Sequence, residues 1–389
     1  MDAALLTDPG FWADLRPYAP GDFPGAIPAL AGLGGQVLFE TSGSTGPPQW
    51  LALSKPALLL SAAAVNQHLR VADDSCWGLA LPLHHVGGFG VVARAFEAAC
   101  RLQHFSRRWQ PQEFQAWLRQ HGVTHTSLVP AQVHDLVAAR LPAPPSLLAI
   151  VVGGGRLDGL TGQAARQLGW PVLASYGMTE TASQIATQGL ELLANPYQPA
   201  PLEILPLWET RASGEGRLSI AGPALFSGTL HHCGEGWDYH ARAGAWHLTS
   251  DRVVLADGHL TPLGRMDAVV KVLGELVDPV AIENELLALA SGVLAPGSFA
   301  IVAVPDERAG HCLVPVFESS VDPAIVAAAL AGYQNQAPGF RRLQAPLMVA
   351  ALPRSPLGKL RRPALAEVVR DARRNHGRNP PSDAACIRA

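Results

Sequence analysis

Residues 41–48 read Thr41-Ser42-Gly43-Ser44-Thr45-Gly46-Pro47-Pro48, four hydroxyls and two glycines in one short stretch. Glycine admits backbone angles closed to other residues, so successive N–H groups can turn into one concavity. Hydroxyls add further donors, and the combination suits a polyphosphate. No Gly-Lys-Ser/Thr closes the stretch, so it is not a Walker A loop. A Ser/Gly-rich surface turn is the competing reading, but turns seldom stack this many hydroxyls and glycines directly behind a buried strand. A second segment, Ser175-Tyr176-Gly177-Met178-Thr179-Glu180-Thr181, sets a hydroxyl beside a carboxylate. Thr179 and Glu180 could hold a phosphate and its Mg²⁺ respectively, because Mg²⁺ takes oxygen ligands and substrate phosphates. Gly153-Gly154-Gly155 would let a flat base approach the backbone closely. Lys359 lies in Gly358-Lys359-Leu360 among Arg354, Arg361 and Arg362. On composition alone it reads as a solvated charge, since Lys is overwhelmingly a surface residue.

These segments need a scaffold that brings them together. Short apolar runs alternate with helical patterns: strands at 36–39, 124–129, 147–152 and 171–174, and helices at 56–69, 114–121 and 131–140. Such alternation predicts α/β layers, and ligands in such sheets gather at the carboxyl ends of strands, where three of the four segments fall. From about Gly216 short strands with Gly turns (217–220, 245–249, 252–255 and 259–262) predict an antiparallel β region. After Asp267 a smaller α+β unit is expected, with strands at 268–272, 299–304, 312–317 and 347–350 and helices at 280–289 and 323–335. The fold class is therefore α/β. A large layered N-terminal domain should span 1–266 and a small C-terminal domain 267–372, with residues 373–389, polar and Pro-containing, as a disordered tail.

The chain has 389 residues, 48% hydrophobic and 16% charged, enough to bury large cores and too apolar for a disordered chain. A formal net charge of −3 gives no reason to invoke nucleic acid or an anionic membrane. Five cysteines are scattered without CxxC or His-spaced clusters, which argues for reduced thiols in a cytoplasmic protein and against a zinc site. No basic start followed by an apolar core marks a signal peptide, and no apolar run approaches the ~20 residues of a spanning helix. Oligomeric state is not readable.

The order TSGSTGPP, GGG, YGMTE, TSD, GRMD and PRSPLGKLRR resembles the adenylate-forming superfamily of acyl-CoA synthetases, luciferases and peptide-synthetase adenylation domains, from about Gln36 to about Arg362. The resemblance implies a large N-terminal domain and a mobile C-terminal lid, with ATP, Mg²⁺ and CoA as reactants. It implies that Thr41, Ser42, Gly43, Ser44, Thr45 and Gly46 cradle the ATP phosphates. Gly153, Gly154 and Gly155 with Tyr176 would flank adenine, and Ser175, Gly177 and Met178 would also bind ATP. Thr179 would touch phosphate and Glu180 would hold Mg²⁺. Asp251 in Thr249-Ser250-Asp251 would accept the ribose hydroxyls, which its two acceptor oxygens suit, and Arg265 would contact the ribose–phosphate side. Asp267 would be the hinge. Lys359 would reach the carboxylate and α-phosphate during adenylation, where a point cation meets charge spread over phosphate oxygens. Lys271 and Gly274, in Lys271-Val272-Leu273-Gly274, would serve the thioester step.

The stretch Leu81-Pro82-Leu83-His84-His85-Val86-Gly87-Gly88-Phe89-Gly90 with Arg94, and the stretches Ser127–Gln132 and Glu180–Gln184, are similar to the o-succinylbenzoate–CoA ligases of menaquinone and phylloquinone synthesis. The resemblance implies that Arg94 holds the acid's second carboxylate, and the guanidinium fork fits a carboxylate bidentately. Pairing of Arg94 with Glu97 is the structural alternative. His85, Ser127 and Gly154 would line the acid pocket, although a lone His is as often structural. Three departures stand out. Gln49 occupies the place of a usual Lys, Gly87 that of a small hydroxyl residue, and only about 40 residues precede the phosphate loop, so an N-terminal subdomain is expected to be absent. Three alternatives remain: a CoA ligase for another aryl or acyl acid, an enzyme that passes its adenylate to a carrier protein, and a catalytically silent nucleotide-binding homologue.

Overall fold

The computed structural model describes residues 3, 5–41, 49–234, 236–290, 292–354, 360–376 and 387–388. Internal contacts divide the chain into two compact units, Met1–Thr249 with Val253–Pro262, and Ser250–Arg252 with Leu263–Ala389. The fold is α/β.

In the first unit five parallel strands run side by side in the order Arg101–His104, Cys76–Leu79, His125–Leu128, Ala149–Val152, Val172–Tyr176. The middle three are buried at every position, as their continuous apolar character requires of a sheet covered on both faces. Beyond Val172–Tyr176 the sheet continues through Ala186–Thr187 and Leu202–Ile204, both antiparallel to their predecessors, to His259–Arg265, Trp246–Ala256, Arg217–Ala221 and Glu209–Ala212. A separate four-stranded antiparallel sheet joins Gln36–Thr41, Gln49–Ser54, Gly228–Cys233 and Gly236–Ala241.

Local chemistry sets the helices. Ser54 caps Lys55–His68 by accepting from the Ala57 N–H at 3.2 Å, and Asp158 caps Gly159–Gln167 by accepting from Thr161 N–H at 2.9 Å. Loss of such a cap typically costs about 1 kcal/mol. The Val86–Glu97 helix is buried from Gly88 to Ala95, and a stretch apolar all round belongs inside a core; Arg94 is the charged exception within that buried stretch. Phe89 on this helix packs edge-on against Phe39 at 5.4 Å. A fully buried Phe contributes roughly 1.5–3 kcal/mol, so this contact ties the helix firmly to the strand that leads into residues 42–48.

The second unit is α+β. Phe299–Asp306 and Gly310–Glu318 pair antiparallel, and Leu347–Val349 lies parallel to the latter. Strand alternation divides its core: Phe299, Ile301, Leu313 and Phe317 face the Pro279–Leu289 and Pro323–Gln334 helices, while Ala300, Val302, Val304 and Val314 face Leu365 and Val369 of Arg362–His376. That last helix runs four residues into the segment expected to be a disordered tail, and Ile387–Arg388 forms a short strand beside Leu347 and Met348. The strands expected at 245–249 and 252–255 are one strand, Trp246–Ala256. Among the described residues no helix is long and apolar enough to cross a membrane.

Candidate functional site

In the first unit the residues singled out from sequence stand at the carboxyl ends of adjacent parallel strands, where open α/β sheets bind ligands. Ser127 is on His125–Leu128, Gly153–Gly155 follow Ala149–Val152, and Ser175 and Tyr176 end Val172–Tyr176. The Cα register pairs Ser127 with Val151 and Val152 with Ala174, so the three segments are lateral neighbours. Ser175 Oγ donates to the Val152 carbonyl at 3.0 Å, and a Cβ on Gly153 would come within 3.2 Å of that hydroxyl. Bare backbone at Gly153 therefore leaves a flat edge beside Ser175.

The turn after Val172–Tyr176 is tight. Gly177 admits no side chain, because a Cβ there would overlap the Ser183 carbonyl. Thr179–Thr181 form a single 3₁₀ turn, closed by Ala182 at φ 52° and Ser183 at φ 114°. Positive φ at two successive non-Gly residues stores strain, and strain held by surrounding structure concentrates at functional sites. Glu180 is half-buried, and its carboxylate has no hydrogen-bond or ion-pair partner among the described residues. An oxygen ligand of this kind beside the Thr179 hydroxyl fits Mg²⁺. Among the described residues no three His, Cys, Asp or Glu side chains form a metal cluster, so such an ion would take most of its ligands from phosphate and water.

Ser183 turns its hydroxyl toward Arg94. Arg94 is 2% exposed, and its guanidinium donates to Ser127 Oγ at 3.1 Å and Ser183 Oγ at 3.2 Å. It lies 5.2 Å from the Trp77 ring centroid, and its Nε has no partner. Glu97, the alternative counter-ion, instead accepts from Asn66 Nδ2 at 2.7 Å, and the same Asn66 amide donates to the Arg94 carbonyl at 2.9 Å. Among the described residues no carboxylate pairs with Arg94. Burial pulls its pKa down to about 10, which still leaves a charged guanidinium at neutral pH. An unpaired buried cation is costly, and two hydroxyls compensate it only in part.

His85 caps the start of the same helix without a side-chain bond. Its Nε2 is buried and unpartnered. Burial first, and the neighbouring His84 second, push its pKa down to about 4, so the ring is neutral at pH 7. Gly87 lies one residue beyond the helix start.

Thr41 ends its strand and donates from Oγ1 to the Gln49 carbonyl at 3.2 Å, closing the base of the hydroxyl-rich stretch. The rest of that stretch, Ser42, Gly43, Ser44, Thr45 and Gly46, lies outside the described residues, as does Lys359. In the second unit Arg265 donates to Asp267 at 2.8 Å and to Asp251 at 3.3 Å, which brings the three residues together. Lys271 and Gly274 lie on a separate hairpin, Val270–Val272 with Glu275–Val277, whose turn has Leu273 at φ 53° and Gly274 at φ 89°.

Sequence reasoning missed the roles of Ser183, Trp77 and Asn66 around Arg94. Ser183 lies in the Glu180–Gln184 stretch already singled out, but its backbone angle carries no compositional mark. Trp77 and Asn66 read as ordinary core residues.

The AMP-binding enzyme family matches residues 37–228. The 2-succinylbenzoate–CoA ligase of Geobacillus kaustophilus is 31% identical over 263 residues, 64% of this chain and 53% of that protein. The corresponding ligase of Escherichia coli is 31% identical over 284 residues, 72% of this chain and 57% of its own length. The chain thus spans little more than half the length of these curated relatives. Among solved structures, O-succinylbenzoate coenzyme A synthetase (MenE) from Bacillus subtilis, in complex with ATP and magnesium ion, shares the fold at a TM-score of 0.70 and 21% identity, covering 85% of this chain and 69% of that one. The segment 37–228 of this chain thus belongs to the AMP-binding enzyme family, and the ordered motifs and α/β fold around it are similar to those of the adenylate-forming enzymes.

Proposed function

We propose that this chain is an AMP-forming acid–CoA ligase acting on 2-succinylbenzoate, a step of menaquinone or phylloquinone synthesis. An oxygen of the aliphatic carboxylate attacks the α-phosphorus of ATP and diphosphate leaves, which gives the acyl-adenylate. The CoA thiol then attacks the acyl carbon, its proton passes to solvent, and AMP leaves with the electrons of the broken C–O bond. Thr41–Gly46, Gly153–Gly155 and Ser175–Thr179 hold the nucleotide, and Asp251 and Arg265 take its ribose side. Glu180 would hold Mg²⁺, which would supply positive charge against the phosphates. Lys359 stabilises the adenylation transition state, and Asp267 is the hinge between the two half-reactions. Lys271 and Gly274 serve the thioester step.

One observation carries the choice of acid: Arg94 is a buried, charged guanidinium with two serine hydroxyls and no carboxylate partner among the described residues. A carboxylate reaching the Arg94 guanidinium would supply the missing counter-ion, and bonds between a guanidinium and a carboxylate are about twice as strong as neutral ones. His85 and Ser127 would line the rest of the acid site, and neither brings a charge at pH 7. The experiment is acid-dependent diphosphate release across aromatic acids with and without a second carboxylate. 2-Succinylbenzoate should surpass the analogue that lacks the benzoate carboxylate. Preference for the monoacid would leave only the wider ligase assignment, and ATP binding without release for any acid would point to a silent homologue.

A further inference from the structure

Lys55 is a second buried cation, and the reaction above does not use it. It is 2% exposed at the start of the Lys55–His68 helix. Its Nζ donates to the carbonyls of Phe11 at 2.7 Å and Asp14 at 2.6 Å, and lies 4.4 Å from the Phe11 ring centroid. Both carbonyls belong to the end of the short Pro9–Ala13 helix, where backbone acceptors lack intrahelical donors. Among the described residues no carboxylate forms an ion pair with it. Burial lowers its pKa.

The segment that Lys55 grips lies across the helix that carries Arg94. Trp12 stacks on Phe96 at 5.2 Å and stands edge-on to Phe89 at 6.0 Å, while Phe11 is 6.3 Å from Phe89. Phe89 and Phe96 are seven residues apart, two turns along one face, and Arg94 lies between them in sequence but on the opposite face of the same helix. Further along, Tyr18 bridges Val37 at the sheet edge. The Lys55–His68 helix also grips the Arg94 helix directly, through Asn66 and the Arg94 carbonyl. One helix thus clamps the other at two points, once by its own amide and once through an aromatic strap.

We propose that Lys55 is a positioning residue for acid recognition: by locking residues 5–18 over the Val86–Glu97 helix it fixes where the Arg94 guanidinium stands. The step from helix to acid rests on the assignment of Arg94 as carboxylate receptor. Without Lys55 two carbonyls lose their donor, the strap loosens, and the helix beneath gains freedom that Arg94 shares.

The test uses this whole 389-residue chain carrying Lys55→Met and, as a second variant that leaves the lysine in place, Trp12→Ala. Hydrogen exchange at the amides of residues 89–97 should quicken about tenfold in both, the equivalent of one hydrogen bond of ordinary strength. KM for 2-succinylbenzoate should rise by about the same factor, with KM for ATP unchanged and a smaller rise for the analogue lacking the second carboxylate. Unchanged exchange at 89–97 in both variants overturns the proposal, and so does an equal loss for both acids. Failure of the Arg94 assignment looks different, because the wild-type protein would then not prefer the diacid. In that event exchange alone decides the strap's part, and unchanged protection still overturns it.

Discussion

Replacing Arg94 by Leu removes the cation and keeps an apolar side chain of moderate volume. Two energies oppose each other in the free protein. The variant loses two hydrogen bonds to Ser127 and Ser183 and the contact with the Trp77 ring, but it also loses the cost of an incompletely paired buried charge. Folding stability should therefore change little, and Tm should stay close to the wild-type value. Binding of the acid has no such offset. The second carboxylate would enter a pocket with no cation, forfeiting about 1.5–3 kcal/mol for a hydrogen bond to a charged group, or roughly 10- to 150-fold in kcat/KM. The assay is diphosphate release at saturating ATP, with 2-succinylbenzoate and its monoacid analogue measured side by side. The diacid should lose most of that factor and the monoacid little. Equal losses, or a sharp fall in Tm with a raised KM for ATP, would show that Arg94 supports the fold and does not receive the acid.

Four further outcomes follow from the same geometry. Glu180→Gln keeps the shape but removes the charge that Mg²⁺ needs, so activity should fall and its Mg²⁺ titration move to higher concentration; an unmoved titration makes Glu180 structural. Lys359→Ala should slow adenylation by about 10²–10³ and spare thioester formation from a preformed adenylate, and equal slowing of both steps contradicts the role given to it. Gly177→Ala should abolish soluble, folded enzyme or its activity, since the Cβ meets the Ser183 carbonyl; a fully active variant would contradict the described turn. Burial pushes His125 down to about 4, as it does His85, so between pH 6.5 and 4 the unfolded chain binds more protons than the folded one. Stability should therefore fall as pH drops through that window, and His125→Leu should flatten the fall in thermal melts.

The placement of the proposed nucleotide side was legible in the sequence because its signals are local. Hydroxyls and glycines at strand ends, such as Gly153–Gly155 and Ser175–Thr181, show both their chemistry and their place once buried strands are recognised. The parallel strands at 125–128, 149–152 and 172–176 were readable for the same reason, as continuous apolar runs. Other features were not. The strand Arg101–His104 is polar and half-exposed at the sheet edge, so it lacks the apolar signature. The hairpin Gly228–Cys233 with Gly236–Ala241 has one face of His, Cys and Thr, which reads as a loop. The environment of Arg94 depends on Ser127 and Ser183, 33 and 89 residues away, and on a positive φ at Ser183 that composition cannot reveal. Choosing between Glu97 and a ligand as the partner of Arg94 required knowing that Asn66 already occupies Glu97.

On the proposed function, this chain joins a diacid to a thiol through an adenylate. Mass spectrometry of one reaction holding the purified chain, ATP, Mg²⁺, CoA and 2-succinylbenzoate tests it most directly. The account predicts the thioester of 2-succinylbenzoate and CoA, with one AMP formed for each thioester and none when the acid is omitted. AMP without thioester, or a thioester from other acids but none from this one, would contradict it.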